Sequence, residues 1–390
     1  MDKKPPSVHA AIASLVACQI GLHACTQGMR LAASLEALRH DFGTWSVGLV
    51  LTMFALVPAV CAIPVGRLAD RHGYHLPVRI AALSSLAGTL IAALVPGLAP
   101  LCIAAALCGA GSGVGMIAIQ RSAGRLARDE VDRLRIFSWI ALAPALAGLF
   151  GPMLAGTLID HAGFSTAFGV LALLPAATLL LAQAVPRETG RVPGTPGQRR
   201  ARARNLLAMP GFRRLLFINW LVSACWDVHG FALPILGTER GLSASALGAV
   251  LGSYAMASMC VRLLIPVMAS RLPRRRLLGG ALLLTCSVFA IYPLLSSAWA
   301  MAVCAAVLGI ALGAVQPAIL ATLHDVTPHE RRGEAMAFRS MTVHLSMSIM
   351  PLVFGAAGAS IGAALLFWGM SAALGLGSMQ AWSLRPASRE

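Results

Sequence analysis

Charge is scarce in this chain of 390 residues: only 12% are Asp, Glu, Lys or Arg, while 57% are hydrophobic. Mean hydropathy is +0.76. A soluble domain of this length needs far more polar surface, which excludes that class. Aromatics are few at 6%, with only 3 tyrosines. Lysine is confined to Lys3 and Lys4, so arginine carries nearly all the positive charge. The chain has no phosphate-binding loop, no His-Glu-x-x-His and no cysteine pair at metal spacing. Those absences remove nucleotide-driven and metallohydrolase readings, so no enzyme, cofactor or metal is expected. The 9 cysteines (18, 25, 61, 102, 108, 225, 260, 286 and 304) all fall in apolar stretches and read as small buried side chains. The short alternating stretches of transmembrane β-strands are missing as well.

What is present is a series of apolar runs, each about 20 residues long, the length that crosses hydrocarbon as a helix. Twelve are readable, at 9–30, 45–66, 77–96, 98–119, 135–158, 164–185, 213–236, 244–268, 276–296, 298–321, 338–358 and 361–383. The pattern predicts an all-α membrane protein of twelve transmembrane helices. Residues 1–185 and 213–390 would form two six-helix bundles, joined by a linker at 186–212 rich in Pro, Gly and Arg. Its Arg199, Arg200, Arg202 and Arg204 would face solvent or lipid headgroups.

One set of loops collects the bases, among them Arg67, Arg71, Arg121, Arg125, Arg128, Arg274 and Arg331. The opposite set holds only Arg39 and Arg240, with Arg30 near that edge. The asymmetry places both termini in the cytoplasm. It also reads the net charge of +16 as topology rather than nucleic-acid binding. Leu22-His-Ala-Cys25 faintly resembles a lipoprotein cleavage site, but His23 is wrong for one, so no cleavage is expected.

The two halves repeat at an offset of 200 residues. Ala104-Ala-Ala-Leu-Cys-Gly109 and Gly113 match Cys304-Ala-Ala-Val-Leu-Gly309 and Gly313, and Asp70-Arg71 aligns with Ser270-Arg271. Pseudo-symmetric polar stripes follow the same offset. Gln19, His23, Gln27 and Arg30 share one face of the first run, and Asn219, Ser223 and Asp227 one face of the seventh. Such stripes are costly in hydrocarbon unless they line a water-filled cavity or bond another helix. The first reading makes both stripes substrate-binding. Asp227, deep in its run, is the first candidate for carrying a proton, followed by His229 and His23. Tyr254, Ser258 and Arg262 share a face of the eighth run, and Arg339 shares one with Thr342 and Ser346 in the eleventh. If Arg262 and Arg339 point inward, the cavity is basic and suits an anion; the alternative is that both reach for the membrane edge.

Between the second and third runs lies Gly66-Arg-Leu-Ala-Asp70-Arg71-His-Gly73. Gly66 is read as a point of close helix approach, Asp70 as an acid among bases and Gly73 as a turn residue. Arg121 and Arg125 are the expected partners of Asp70. This stretch resembles the loop after the second helix of the major facilitator superfamily, whose pattern Gly66, Asp70, Arg71 and Gly73 match and Tyr74 does not. Thr327-Pro328-His-Glu330-Arg331-Arg332-Gly333 is similar to a second loop of that family. Gly148, Gly151, Pro152 and Gly156 resemble an element of its proton-coupled drug exporters, read here as helix-packing residues, although the arginine those exporters carry in the fourth run is absent.

The resemblance implies two parallel six-span repeats, a latch at Asp70 that holds the cytoplasmic side shut, and alternating-access transport. The expected function is proton-coupled movement of a small organic molecule, with export as the direction. The expected setting is a bacterial inner membrane, with lipid, protons and substrate as partners and a monomer as the assembly. The alternatives are proton-driven uptake of an organic anion and a membrane receptor that binds without transporting.

Overall fold

The computed structural model describes residues 8–126, 129–185, 204–207, 209–268, 274–327 and 332–382. Most of the expected linker, the Ser270-Arg271 pair and the loop residues Pro328 to Arg331 lie outside them. The described residues are helical almost throughout and contain no strand. In chain order the α-helices are α1 (Val8–Arg39), α2 (Thr44–His72), α3 (His75–Leu94), α4 (Leu98–Leu126), α5 (Glu130–Leu171), α6 (Leu173–Leu181), α7 (Arg204–Leu207), α8 (Pro210–Glu239), α9 (Ala244–Met268), α10 (Arg274–Ile291), α11 (Ala298–Val326) and α12 (Arg332–Trp382).

Ten helical stretches among the described residues are long and apolar enough to cross a membrane. Two of them, at 139–184 and 338–380, run 46 and 43 residues, about twice one crossing. Each breaks at a glycine whose positive φ no other residue adopts easily: Gly163 at φ 81° and Gly362 at φ 81°. The breaks cut both stretches into pieces of single-crossing length, near the sequence boundaries 158/164 and 358/361.

The chain forms two compact units, one of residues 1–195 with 242–252 and one of 196–241 with 253–390. In the first, α1 packs along α5, and α4 packs against α2 and α3. In the second, α8 packs along α12, and α10 against α11 and α12. Lipid tails are as apolar as leucine, so helices associate through close backbone approach and interhelical hydrogen bonds. Both devices recur. Ser84 donates to the Leu107 carbonyl at 2.8 Å in the first unit, and Ser253 to the Ala302 carbonyl at 2.9 Å in the second.

The 200-residue repeat is visible in the packing itself. A Cβ on Gly109 would collide with the Phe54 carbonyl, and one on Gly309 with the Tyr254 carbonyl. Four residues on, Gly113 faces Pro58 and Gly313 faces Ser258. Phe54 and Tyr254, like Pro58 and Ser258, stand 200 positions apart. The two halves therefore reuse one helix–helix contact, built on backbone atoms rather than on particular side chains. Gly151 likewise abuts the Ala24 carbonyl and the Gly28 amide, which sets the spacing of α5 and α1.

Gly66 corrects the sequence reading. A Cβ there would meet nothing within 4 Å, so among the described residues no helix approaches closely at that point. Gly109→Ala and Gly309→Ala should each lower the thermal midpoint of the protein in detergent, overpacking of this kind costing about 1–3 kcal/mol. Gly66→Ala should leave the midpoint unchanged or raise it, because alanine is the better helix former. Equal losses in all three variants would show that the close approaches at 109 and 309 do not matter.

Candidate functional site

The first-unit stripe sits on α1. Gln19 is 1% exposed, and its Nε2 lies 3.0 Å from His23 Nδ1. With the amide donating, His23 is the neutral tautomer protonated at Nε2. Gln19 Oε1 is buried and has no partner. Gln27 is half-buried, and the Arg30 guanidinium lies over the Phe54 ring, 5.8 Å from its centroid. Neighbouring hydroxyls are spent locally: Thr26 donates to the Leu22 carbonyl and Ser34 to the Arg30 carbonyl.

The second-unit stripe sits on α8. Asp227 is 6% exposed and accepts a hydrogen bond from Ser346 Oγ on α12 at 2.8 Å. Ser223 donates to the Asn219 carbonyl of its own helix, so its hydroxyl is already engaged. Asn219 is 3% exposed, and its Nδ2 is buried without a partner. A buried donor in that state costs about 1–3 kcal/mol, so each such group needs a reason. Trp226 Nε1, Tyr254 Oη, Ser258 Oγ, Arg262 Nε and Arg339 Nε share the condition in this unit.

His229 belongs to another chain of contacts. Its Nε2 lies 3.3 Å from the Tyr292 hydroxyl, which in turn donates to the Met301 carbonyl at 3.4 Å. Trp226 and Tyr254 meet edge to face at 4.5 Å between centroids, and His229 lies 5.2 Å from Tyr254. The sequence reading missed Trp226 and Tyr292. Scarcity was the available signal, since the chain has only 3 tyrosines and buries Tyr74, Tyr254 and Tyr292 at 1%, 4% and 0% exposure.

At the other end of α2, Arg121 Nε donates to Asp70 Oδ1 at 2.9 Å, joining α4 to α2 within the first unit. Arg71 and Arg125 are exposed, and Gly73 ends α2 at φ 70°. Asp70 is 66% exposed, so the pair itself is worth at most about 1 kcal/mol to stability. Among the exporter-like residues of α5, Pro152 and Gly156 are buried, Gly148 is half-buried, and Gly156 abuts the Ala244 carbonyl. Among the described residues, no three His, Cys, Asp or Glu side chains come together as a metal site would require.

Asp160 is a second omission of the sequence reading. Its two carboxylate oxygens accept from the backbone amides of Ala244 at 3.0 Å and Ser245 at 2.8 Å, inside the first unit. It thus caps the start of α9 from the end of the first α5 segment, and the positive end of the helix dipole favours its charge. A distant cap of this kind leaves no local sequence pattern.

A family model described as Major Facilitator Superfamily matches residues 16–216 and 215–390. The inner membrane transport protein YajR of Escherichia coli (strain K12) is 27% identical over 143 residues, which cover 35% of this chain and 30% of that protein. A POT family transporter solved with a thioalcohol-conjugated peptide superposes with a TM-score of 0.76 at 14% identity, over 94% of each chain. A bacterial homologue of the lysosomal transporter Spinster, inward-facing and unoccupied, gives a TM-score of 0.72 at 16% identity, over 97% of this chain and 94% of that one. At such identities the solved structures speak for the fold.

The Asp160 cap should be measurable in isolation. Asp160→Ala should lower the thermal midpoint by the equivalent of about 1 kcal/mol, and Asp160→Asn by less, since an amide oxygen still caps. Identical midpoints for wild type and Asp160→Ala would remove the cap from the account.

Proposed function

The chain belongs to the major facilitator superfamily, a multi-pass membrane transport protein rather than an enzyme, and from that premise we propose proton-coupled secondary transport of a small organic molecule by alternating access. Reading each broken stretch as two crossings gives twelve, with both termini cytoplasmic in a bacterial inner membrane. The linker at 186–212 would then separate two six-helix halves, and a monomer suffices for the cycle. YajR, the matched relative, carries the inner-membrane description.

The observation that carries the proposal is Asp227. It is an acid at 6% exposure in an apolar helix, held by Ser346 of a second helix. A carboxyl in such surroundings is costly to ionise and gains or loses a proton with its environment. If the two transport states hydrate it differently, a proton biases the equilibrium between them. The polar faces of α1 (Gln19, His23, Gln27, Arg30) and α8 (Asn219, Ser223, Asp227), with Arg339, are the surfaces a substrate meets in this reading. His23 and His229 serve as secondary proton carriers.

Export is the direction we assign first, on the likeness of Gly148, Gly151, Pro152 and Gly156 to the exporter element. Uptake of an organic anion is the second reading, favoured by the unpartnered Nε atoms of Arg262 and Arg339. Right-side-out and inverted vesicles under an imposed proton gradient separate the two.

Asp227→Asn should abolish proton movement linked to solute flux in proteoliposomes while the protein still folds. Undiminished coupling in that variant would end the role of Asp227. The Asp70–Arg121 pair is proposed as the latch, in the setting of Gly66, Arg71, Gly73 and Arg125. Asp70→Asn should reduce transport severalfold with almost no change in thermal midpoint, because the exposed pair contributes so little stability. Full transport in Asp70→Asn would leave the pair without a conformational role.

A further inference from the structure

The unpartnered buried groups of the second unit are unevenly distributed by chemistry. Asn219 Nδ2, Trp226 Nε1, Arg240 Nη1, Arg262 Nε and Arg339 Nε can only donate, and Tyr254, Ser258 and Thr327 present hydroxyls. Arg240 and Thr327 lie past the ends of α8 and α11; the other donors come from three helices, α8, α9 and α12.

Their relative heights follow from contacts within the unit. Asp227 meets Ser346, while Phe212 meets Phe338 edge to face and Phe231 lies tilted against Phe354, so α8 and α12 run in the same direction. The short turn between Glu239 and Ala244 makes α9 antiparallel to α8, and Trp226 meets Tyr254 across them. From that common level, Asn219 lies eight residues below Asp227, Arg339 seven below Ser346, and Arg262 eight beyond Tyr254. At 1.5 Å per residue all three fall about 10–12 Å along the bundle on the same side. Arg262 also lies within electrostatic reach of the Tyr254 phenol.

We propose that Asn219, Arg262 and Arg339 form an oxyanion-binding subsite, which takes a carboxylate or phosphate group of the transported molecule. A guanidinium offers its donors in a planar fork that matches two oxygens of such a group. Asn219 adds a neutral donor, and Trp226, Tyr254 and Ser258 line the next layer toward Asp227. The repeat sharpens the assignment. Two hundred positions back, Tyr254, Ser258 and Arg262 correspond to Phe54, Pro58 and Ala62, so the same face of the same repeated helix is apolar in the first half. Helix packing alone does not require the polar version. The subsite names the substrate class and rests on the transport reading of the same residues.

The test is binding to the full-length protein in detergent, with matched acids and amides as probes: benzoate against benzamide, glutarate against glutaramide, and phenyl phosphate. An acid or phosphate should raise the thermal midpoint and its amide should not. Arg262→Gln and Arg339→Gln should each weaken acid binding about tenfold, and Arg→Lys should restore part of it. A variant that fails to fold is replaced by Asn219→Leu, which should weaken acid binding severalfold and keep its midpoint in buffer. Stabilisation by amides or amines as strong as by the acids, or acid binding indifferent to all these substitutions, overturns the subsite. Flux in proteoliposomes is scored separately. Arginine-dependent acid binding without flux sinks the transport reading and keeps the subsite, whereas flux of neutral or cationic solutes without acid binding does the reverse.

Discussion

Hydrocarbon offers no hydrogen-bond partner, and most of this protein follows from that constraint. Backbone amides and carbonyls must close among themselves, which leaves helices as the one local structure available to such apolar segments. Hydroxyls obey the same demand by bonding carbonyls one turn back, as Thr26, Ser34 and Thr285 do at 2.8 to 2.9 Å. Where every polar atom can be satisfied so cheaply, one left unpaired is informative. Asn219 Nδ2 and the Nε atoms of Arg262 and Arg339 stand out for that reason, whereas in a soluble core they would suggest a missing water.

The repeat shows which features the fold needs and which the chemistry needs. Gly109 against Phe54 and Gly309 against Tyr254 are the same contact made twice, and both rest on a carbonyl that any residue supplies. The side chains above that carbonyl are free to differ. The first half carries Phe54 and Pro58 there, and the second carries Tyr254 and Ser258. In the sequence, Asp70 and Ser270 diverge in the same way at equivalent positions of the repeat. One architecture therefore holds two unlike chemical surfaces, with the mixed polar α1 stripe in one unit and the donor-rich α8, α9 and α12 set in the other.

Much of this was legible in the sequence, for reasons that differ by feature. Span length and apolar composition are properties of a segment by itself, so the helices emerge, with edges off by up to nine residues, as at the end of α1. The breaks at Gly163 and Gly362 were legible as gaps between runs. The partners of polar residues were not. Asp227 could be singled out by its depth, but its bond to Ser346 spans 119 positions. Asp160 reaches 84 positions to cap α9, and no periodicity encodes that. Gly66 failed in the opposite direction, since a family-like glycine suggested close packing where the structure has open space.

The charge of the second unit bears directly on the direction of transport. Arg262 and Arg339 against an ionised Asp227 leave a local net charge of +1, and a proton on Asp227 raises it to +2. A bound oxyanion and a bound proton then stabilise one another through space, by about 1.5 kcal/mol for unit charges roughly 10–12 Å apart at an effective dielectric of 20. Linkage is reciprocal, so an anion that binds better to the protonated site also raises proton affinity there. That sign of coupling moves proton and anion together. A cationic substrate would compete with the proton instead and give exchange. The unpaired guanidinium donors thus weigh toward co-transport of an anion, while the glycine-rich face of α5 weighs toward exchange. The charge of the ligand that quenches Arg262 and Arg339 decides between them.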